Sequence, residues 1–252
     1  MNAKVFVPRE TAAVSMGADE VAARILARSG GNRGPLDLVR NGSWGMSWLE
    51  PLVEVLVDGE RIAYGPVSPE DVDELFEAGF LQGGDHRLRL GPTAEIPWLA
   101  NQDRWTFARC GMTDPLSADE YLAHGGLKGL RRAFELGSAG VLDELQASGL
   151  RGRGGAGFPT AIKWQTVANA AGDRKYIACN ADEGDSGTFS DRLLMEGDPF
   201  TLIEGMAIAG FTVGANLGYV YLRSEYPLAR TVFTKALAAA RAQGWLGRDI
   251  QG

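Results

Sequence analysis

From residue 4 to 8 apolar and polar positions alternate, the period of a half-buried strand, and residues 17–29 then change to the three-to-four spacing of an amphipathic helix. Short apolar runs at 36–39, 52–57 and 61–64 predict three further strands. The last two are joined by Asp58-Gly59, a pair suited to the positive φ angles of a tight hairpin. Ser68, Pro69, Glu70 and Asp71 then open a helix: serine caps the free amides, proline fits the first turn, and acids favour the positive helix end. Between 81 and 113 the pattern is irregular, and a loop and linker are expected there.

The order strand, helix, strand, strand, strand, helix predicts a thioredoxin-like domain over residues 1–113. A second domain, 114–252, begins with Ser117 and Glu120 at capping-box spacing. Helical spacing continues through LKGLRRAFEL and VLDELQASG, where Gly149 stands as a helix-ending residue. Pro159 starts a helix that runs to about residue 171, and strands are expected at 175–179 and 217–222. Apolar and amphipathic helices are expected at 200–213 and 227–243. Strands alternating with helices imply a parallel sheet with crossover helices, so the fold class is α/β.

Composition narrows the function. The formal net charge of −7 leaves little room for a broad basic face, which argues against nucleic-acid binding. No apolar run reaches about eighteen residues, so no membrane insertion is expected, and the first ten residues lack the apolar core of a signal peptide. Two distant cysteines, Cys110 and Cys179, fit a reducing, cytoplasmic setting and leave no cysteine-ligated metal site within this chain. Cys179 sits in an apolar strand and is expected to be a buried small residue. With His86 and His124 the only histidines, no metal site is expected at all.

The candidate chemistry lies in LRGRGGAGFPTAIKW, residues 150–164, where four glycines fall between Gly152 and Gly157. A glycine loop that enters a helix offers converging backbone amides and a positive helix end to an anion. Arg151 and Arg153 add charge, and Lys163, in the first turns of the helix, leans back toward the loop. The Walker pattern is absent, and the GxGxxG spacing follows a helix, not the strand that a Rossmann fingerprint requires. The loop alone reads either as a phosphate cradle or as a flexible surface turn. A second polar run, Asn180, Asp182, Glu183, Asp185, follows a strand's carboxyl end, where open α/β sheets bind ligands. Tyr221, Ser224 and Glu225 end the next strand.

Together GLRGRGGAGFPT, CNADE with GTF, and the Tyr221–Tyr226 run resemble a known family over about residues 114–252. This is the diaphorase component, binding flavin and NADH, of respiratory complex I, of NAD-reducing hydrogenases and of NAD-dependent molybdenum or tungsten formate dehydrogenases. The resemblance implies an FMN-binding, Rossmann-like α/β domain, of which 114–252 is the first part. It implies that Gly152, Arg153, Gly154, Gly155 and Gly157 surround the FMN phosphate, with Lys163 nearby. It places Asn180, Asp182 and Glu183 at the ribityl chain and ring, and Tyr221 and Glu225 beside ring and nicotinamide. It implies that Phe158 stacks on the NAD dinucleotide. Hydride then passes between stacked rings, so no catalytic acid or base is assigned.

The first domain refines the resemblance. Asn41-Gly-Ser43-Trp-Gly-Met-Ser47 through Pro51 is similar to the second cysteine pair of the thioredoxin-like iron–sulfur subunit, with serines at the cysteine positions. Serine does not replace thiolate in holding a cluster, so a cluster-less docking domain is expected, as in formate dehydrogenase beta subunits. Packing alone is the other reading of Trp44, Met46 and Trp48. Three departures limit the resemblance: Asp185 stands for a glutamate, Thr166 for an aromatic, and Ser224 for a glycine. Family members also continue with a further strand, a ubiquitin-like domain and a four-cysteine domain that holds a [4Fe–4S] cluster, so that cluster is expected only outside these residues. The partners implied are iron–sulfur and molybdenum- or tungsten-containing subunits. The leading expectation is a diaphorase module of a formate dehydrogenase; a complex I or hydrogenase subunit, and a non-catalytic assembly module, are the alternatives.

Overall fold

The computed structural model describes residues 3–31, 36–248 and 250. They form two compact units: one runs to Ser117 and includes Leu193–Asp198, and the other takes Ala118–Arg192 and the residues from Pro199 onward.

The first unit is built on β1 (Ala3–Phe6), α1 (Thr11–Ser15), α2 (Ala18–Arg28), β2 (Leu36–Val39), β3 (Val53–Val57), β4 (Glu60–Tyr64), α3 (Val72–Glu77), β5 (Arg89–Pro92) and α4 (Pro97–Ala100). Its sheet has the order β2-β1-β3-β4-β5, with β1 and β2 parallel and the remaining pairs antiparallel. A parallel βαβ unit beside an antiparallel hairpin and a closing helix is the thioredoxin-like arrangement, and the Glu50-Pro51 peptide that enters β3 is cis. The Asp58-Gly59 turn has the two positive φ angles expected, 51° and 88°. Ser68 and Asp71 close a capping box over a short 3-10 turn that leads into α3.

β5 corrects the expected loop at 81–113. It pairs with β4 through a register shift, and Gly91 and Pro92 within it hide the strand pattern. The core beneath the sheet gathers Val5, Val21, Ile25, Val53, Val55, Leu75 and Phe80, all essentially without solvent contact. Each such side chain contributes about 1.5–3 kcal/mol relative to an exposed one.

Two buried carboxylates hold the segment that carries the serines. Glu54 accepts from Trp44 Nε1 at 3.1 Å, Thr93 Oγ1 at 2.8 Å, Asn41 Nδ2 at 3.3 Å and the Arg61 guanidinium at 3.3 Å. Glu50 accepts from the Ser43 hydroxyl at 2.6 Å and from the Leu52 amide at 2.9 Å, while Ser43 Oγ accepts from Gly45 N. Trp44 lies flat against Gly111, where a Cβ would meet the indole at 2.4 Å. Met46 is buried and Trp48 is exposed, so this segment holds both packing and surface residues.

The second unit contains α5 (Ala118–Ala123), α6 (Lys128–Ser148), α7 (Thr160–Asn169), β6 (Tyr176–Ala181), α9 (Pro199–Val213), β7 (Leu217–Leu222) and α10 (Pro227–Ala242); α8 (Ser190–Gly197) begins in it. α6 joins the two expected helical runs through Gly137, whose φ of 69° and ψ of 170° break the helical path. The glycine after it, Gly149, has the left-handed φ of 63° expected of a helix end. α8 is an element that the sequence pattern does not announce. β6 and β7 pair in parallel, as expected of crossover topology, and form a two-stranded sheet. Cys179 is half-buried, not fully buried as expected.

Burial pushes the Glu50 carboxyl up to about 7, with the Ser43 and Leu52 bonds opposing it and the Glu10 and Glu54 charges adding to the rise. A carboxyl whose folded pKa is raised stabilises most below its unfolded pKa, and this contribution is lost as pH rises through the folded value. Glu50→Gln is expected to gain stability over the parent chain from pH 4.5 to 8, by on the order of 2–3 kcal/mol at the upper end. Urea unfolding of both proteins followed by tryptophan fluorescence tests this; a difference independent of pH refutes it.

Candidate functional site

The glycine loop is tied at its neck. Gly152 N donates to Phe158 O at 2.9 Å, Thr160 N donates to Leu150 O at 2.9 Å, and Arg151 Nη1 donates to Gly157 O at 2.7 Å. Gly155 and Gly157 have φ of 96° and 59°, a region that side chains strain to occupy. A Cβ built on Gly154, Gly155 or Gly157 would meet no atom within 4 Å. These glycines are therefore not demanded by packing: they leave bare backbone facing open space. No side chain caps the start of α7, and its first amide, that of Thr160, is taken by Leu150 O. Lys163 brings its ammonium to 3.6 Å from where a Gly152 Cβ would lie. Bare backbone, a helix start and a nearby cation fit a phosphate group. Arg153 and Phe158 are exposed at its rim.

The polar loop after β6 is organised by a different logic. Asn180 Oδ1 accepts from the Asp182 amide at 3.2 Å, closing a local turn. Glu183 has a left-handed φ of 43°, which turns its side chain back onto the start of α8. One of its oxygens accepts from the Asp191 amide at 2.8 Å and the Ser190 hydroxyl at 3.0 Å. The other accepts from the Arg192 amide at 3.2 Å and the Tyr226 hydroxyl at 2.9 Å. Burial raises the Glu183 pKa, but the Asp191, Tyr226, Arg192 and Ser190 bonds outweigh it and hold the carboxyl below its ordinary value. Glu183 is thus a helix-capping carboxylate with every acceptor direction used, and it positions its loop rather than reaching outward.

Arg223 and Tyr226 complete the support. Arg223 Nη1 donates to Glu183 O at 2.7 Å, and its other terminal nitrogen meets Glu225 at 3.3 Å. Ser224 Oγ donates to Glu225 at 2.9 Å; together with Arg223 it keeps that exposed carboxyl below its ordinary pKa. Sequence reasoning marks Glu225 and Ser224 but gives no role to Arg223 or Tyr226, although both stand in the same run of residues.

The register of β6 and β7 sets Asn180 opposite Tyr221. By strand alternation Tyr176, Ala178 and Asn180 share a face with Leu217, Tyr219 and Tyr221, and all six are exposed. The opposite face holds Ile177, Cys179 and Val220 against α9, where Gly210 and Gly218 permit close approach. Asn180 and Tyr221 are therefore brought together on the open face. Glu183, Ser224 and Glu225 lie beyond the carboxyl ends of the strands, with Arg223 bonded to both Glu183 and Glu225, while Asp182 is half-exposed and Asp185 exposed. Among the described residues no group of three or more histidine, cysteine or acidic side chains is placed to hold a metal ion.

Residues 145–251 match the family profile of the Nuo51 FMN-binding domain. The chain is 50% identical over 143 residues to the NADP-reducing hydrogenase subunit HndC of Solidesulfovibrio fructosivorans, covering 57% of this chain and 29% of that protein. It is 49% identical over 133 residues to the F 2 component of the NADH-quinone oxidoreductase of Rhizobium meliloti, covering 52% of this chain and 32% of that one. A crystal structure of an NAD+-reducing [NiFe]-hydrogenase aligns with 96% of this chain and 41% of its own, at 25% identity and a TM-score of 0.43. Residues 145–251 are thus similar to an FMN-binding domain, and over about half its length the chain is similar to subunits of a hydrogenase and of an NADH-quinone oxidoreductase. It spans under a third of the length of the two relatives named.

Glu183→Ala is expected to cost about 1–2 kcal/mol, the usual effect of a lost helix cap, and to speed hydrogen exchange at Asp191 and Arg192. Tyr226→Phe, which removes one bond, should cost about 1 kcal/mol. Unchanged exchange at both amides in Glu183→Ala would contradict the capping role.

Proposed function

We propose that this chain supplies the FMN-phosphate cradle and the nicotinamide-facing edge of a diaphorase module in a multisubunit NAD-dependent dehydrogenase. The observation that carries this reading is the bare glycine backbone of the loop with Lys163 beside it, glycines that packing does not require. FMN, when bound, exchanges hydride with NAD(H) and passes electrons onward singly.

The chain's own residues bind and orient. Backbone amides of Gly154, Gly155 and Gly157 take the phosphate, Gly152 holds the neck of the loop through its bond to Phe158, and Arg153 and Lys163 balance the charge. Asn180 and Asp182 offer hydrogen bonds to the ribityl chain and ring edge, and Tyr221 offers a flat surface beside them. Phe158 and Asp185, both exposed, receive the NAD dinucleotide. Glu183 holds the loop through α8 and Tyr226, and Glu225, kept ionised by Ser224 and Arg223, adds a fixed negative charge near the nicotinamide. No group here is placed as a proton donor or acceptor in the reaction.

A formate dehydrogenase is the assembly we favour, because a thioredoxin-like domain with serines at the expected cluster positions precedes the flavin domain. Its partners would be iron–sulfur subunits and a molybdenum- or tungsten-containing subunit, in the cytoplasm. No described helix is long and apolar enough to cross a membrane. A second reading, an assembly module without turnover, is favoured by the uncovered face that carries Asn180 and Tyr221.

Visible absorption spectra of the chain, purified alone and with its co-purifying partners, separate the two. Flavin bands that NADH bleaches in the assembly support the diaphorase reading; a colourless assembly supports the scaffold. Within a flavin-containing assembly, Lys163→Ala is expected to weaken FMN retention at least tenfold, about 1.4 kcal/mol, measured by flavin release on dilution. Unchanged flavin content would remove Lys163 from the phosphate site.

A further inference from the structure

Three glutamates of the first unit, Glu10, Glu50 and Glu54, are at most 2% exposed, and the charges of Glu10 and Glu54 act on Glu50. They are not equally provided for. Glu10, ahead of α1, accepts from the Ala12 and Ala13 amides at 3.0 and 3.1 Å. Glu54, in β3, accepts from three neutral side chains and from the Arg61 guanidinium of β4. Arg61 is further committed to the Gly111 and Met112 carbonyls. Glu50 has two neutral donors, the Ser43 hydroxyl and the Leu52 amide, and among the described residues no cation bonds to it. Ionised Glu50 is thus a buried charge without a counter-ion, facing two others of its own sign.

The segment beside it is lightly held. Residues 40–46 form neither helix nor strand. Ser43 Oγ is their joint, donating to Glu50 at 2.6 Å and accepting from Gly45 N at 2.9 Å. Asn41 Oδ1 is buried in the same segment with no hydrogen-bond partner, a defect that entering water relieves. Trp44 and Gly45 also line a cavity of about 450 Å³ with Trp98, Trp105 and Phe107, so the segment borders open space.

We infer that Glu50 is a proton-operated latch: neutral, it holds the loop of residues 41–46 closed through Ser43, and ionised, it draws in water and opens that loop without unfolding the sheet. The sign follows from linkage. Burial lifts the closed-state carboxyl from its ordinary 4.5 to about 7, so opening grows as pH rises through that interval and levels off above it. The open loop exposes Asn41 and Ser43 and moves the wall that Trp44 and Gly45 give the cavity. The inference does not depend on flavin binding.

The test reads hydrogen exchange of this chain between about pH 5 and 8, as protection factors corrected for the faster intrinsic exchange at high pH. The Gly45 amide, bonded to Ser43, and the Leu52 amide, bonded to Glu50, report the latch, and the amides of β3 and β4 report the sheet. Protection at Gly45 and Leu52 is expected to fall at least about tenfold over that range and to level off above about pH 7, while the sheet amides change by less than about twofold. In Glu50→Gln, which stays neutral, protection at both amides should not vary with pH. Should that variant fail to fold, carbon-13 NMR of the Glu50 carboxyl in the parent chain takes its place, and Glu50 must titrate where the loss of protection levels off. Protection that stays flat across the range overturns the inference. A loss shared equally by the sheet amides overturns it too, since the whole unit then opens and no latch exists. The same loss in Glu50→Gln assigns the effect to another acid, Glu10 or Glu54, and refutes the proposal.

Discussion

The arrangement of the second unit depends on one carboxylate that is bonded in every direction. Glu183 stands where β6 has ended and the chain must turn, and a left-handed backbone angle aims its side chain at the first amides of α8. Those amides have no partner inside their own helix. Tyr226, at the start of α10, donates to the same group, and Arg223 holds the backbone carbonyl behind it. The ends of two strands and the starts of two helices thus meet at a single residue. The neighbouring Asn180, Asp182 and Asp185 have their positions fixed by a group that does not itself face outward.

The two candidate loops solve different problems. The glycine loop is closed at its neck by backbone bonds and left empty in the middle, so that an anion meets amides instead of side chains. The polar loop is filled by its own carboxylate and presents only the groups that remain. A site that combines them would take a phosphate by shape and backbone, and the rest of the ligand by a few fixed polar groups. Such a division fits a cofactor whose anionic tail and planar head have different chemistry, and it agrees with a family defined by FMN binding.

What the sequence reveals is what local chemistry dictates. Asp58-Gly59, the Ser68 capping box, Gly149 at a helix end and the apolar run of β7 each carry their signal within a few residues, and each is legible. The strand at Arg89–Pro92 is not, because a glycine and a proline occupy half of it and only its pairing with β4 makes it a strand. α8 escapes a reading of the sequence because its cap lies seven residues before its first turn and reaches it through space. The same distance hides the role of Glu183, which the family resemblance sets at the ligand. The glycine loop is legible as chemistry but ambiguous as structure; the empty space around its absent Cβ atoms is what distinguishes it from a turn required by packing.

The surroundings of Ser43 in the first unit are organised around its hydroxyl. Ser43 is almost wholly buried, and its hydroxyl both donates to Glu50 and accepts from Gly45. A thiol in its place is larger, donates weakly, and would leave a buried carboxylate short of a partner. A cysteine placed at position 43 would therefore meet a pocket organised around oxygen chemistry, with an acid beside it that repels another anion. Any thiolate site in this loop would first have to neutralise or displace Glu50.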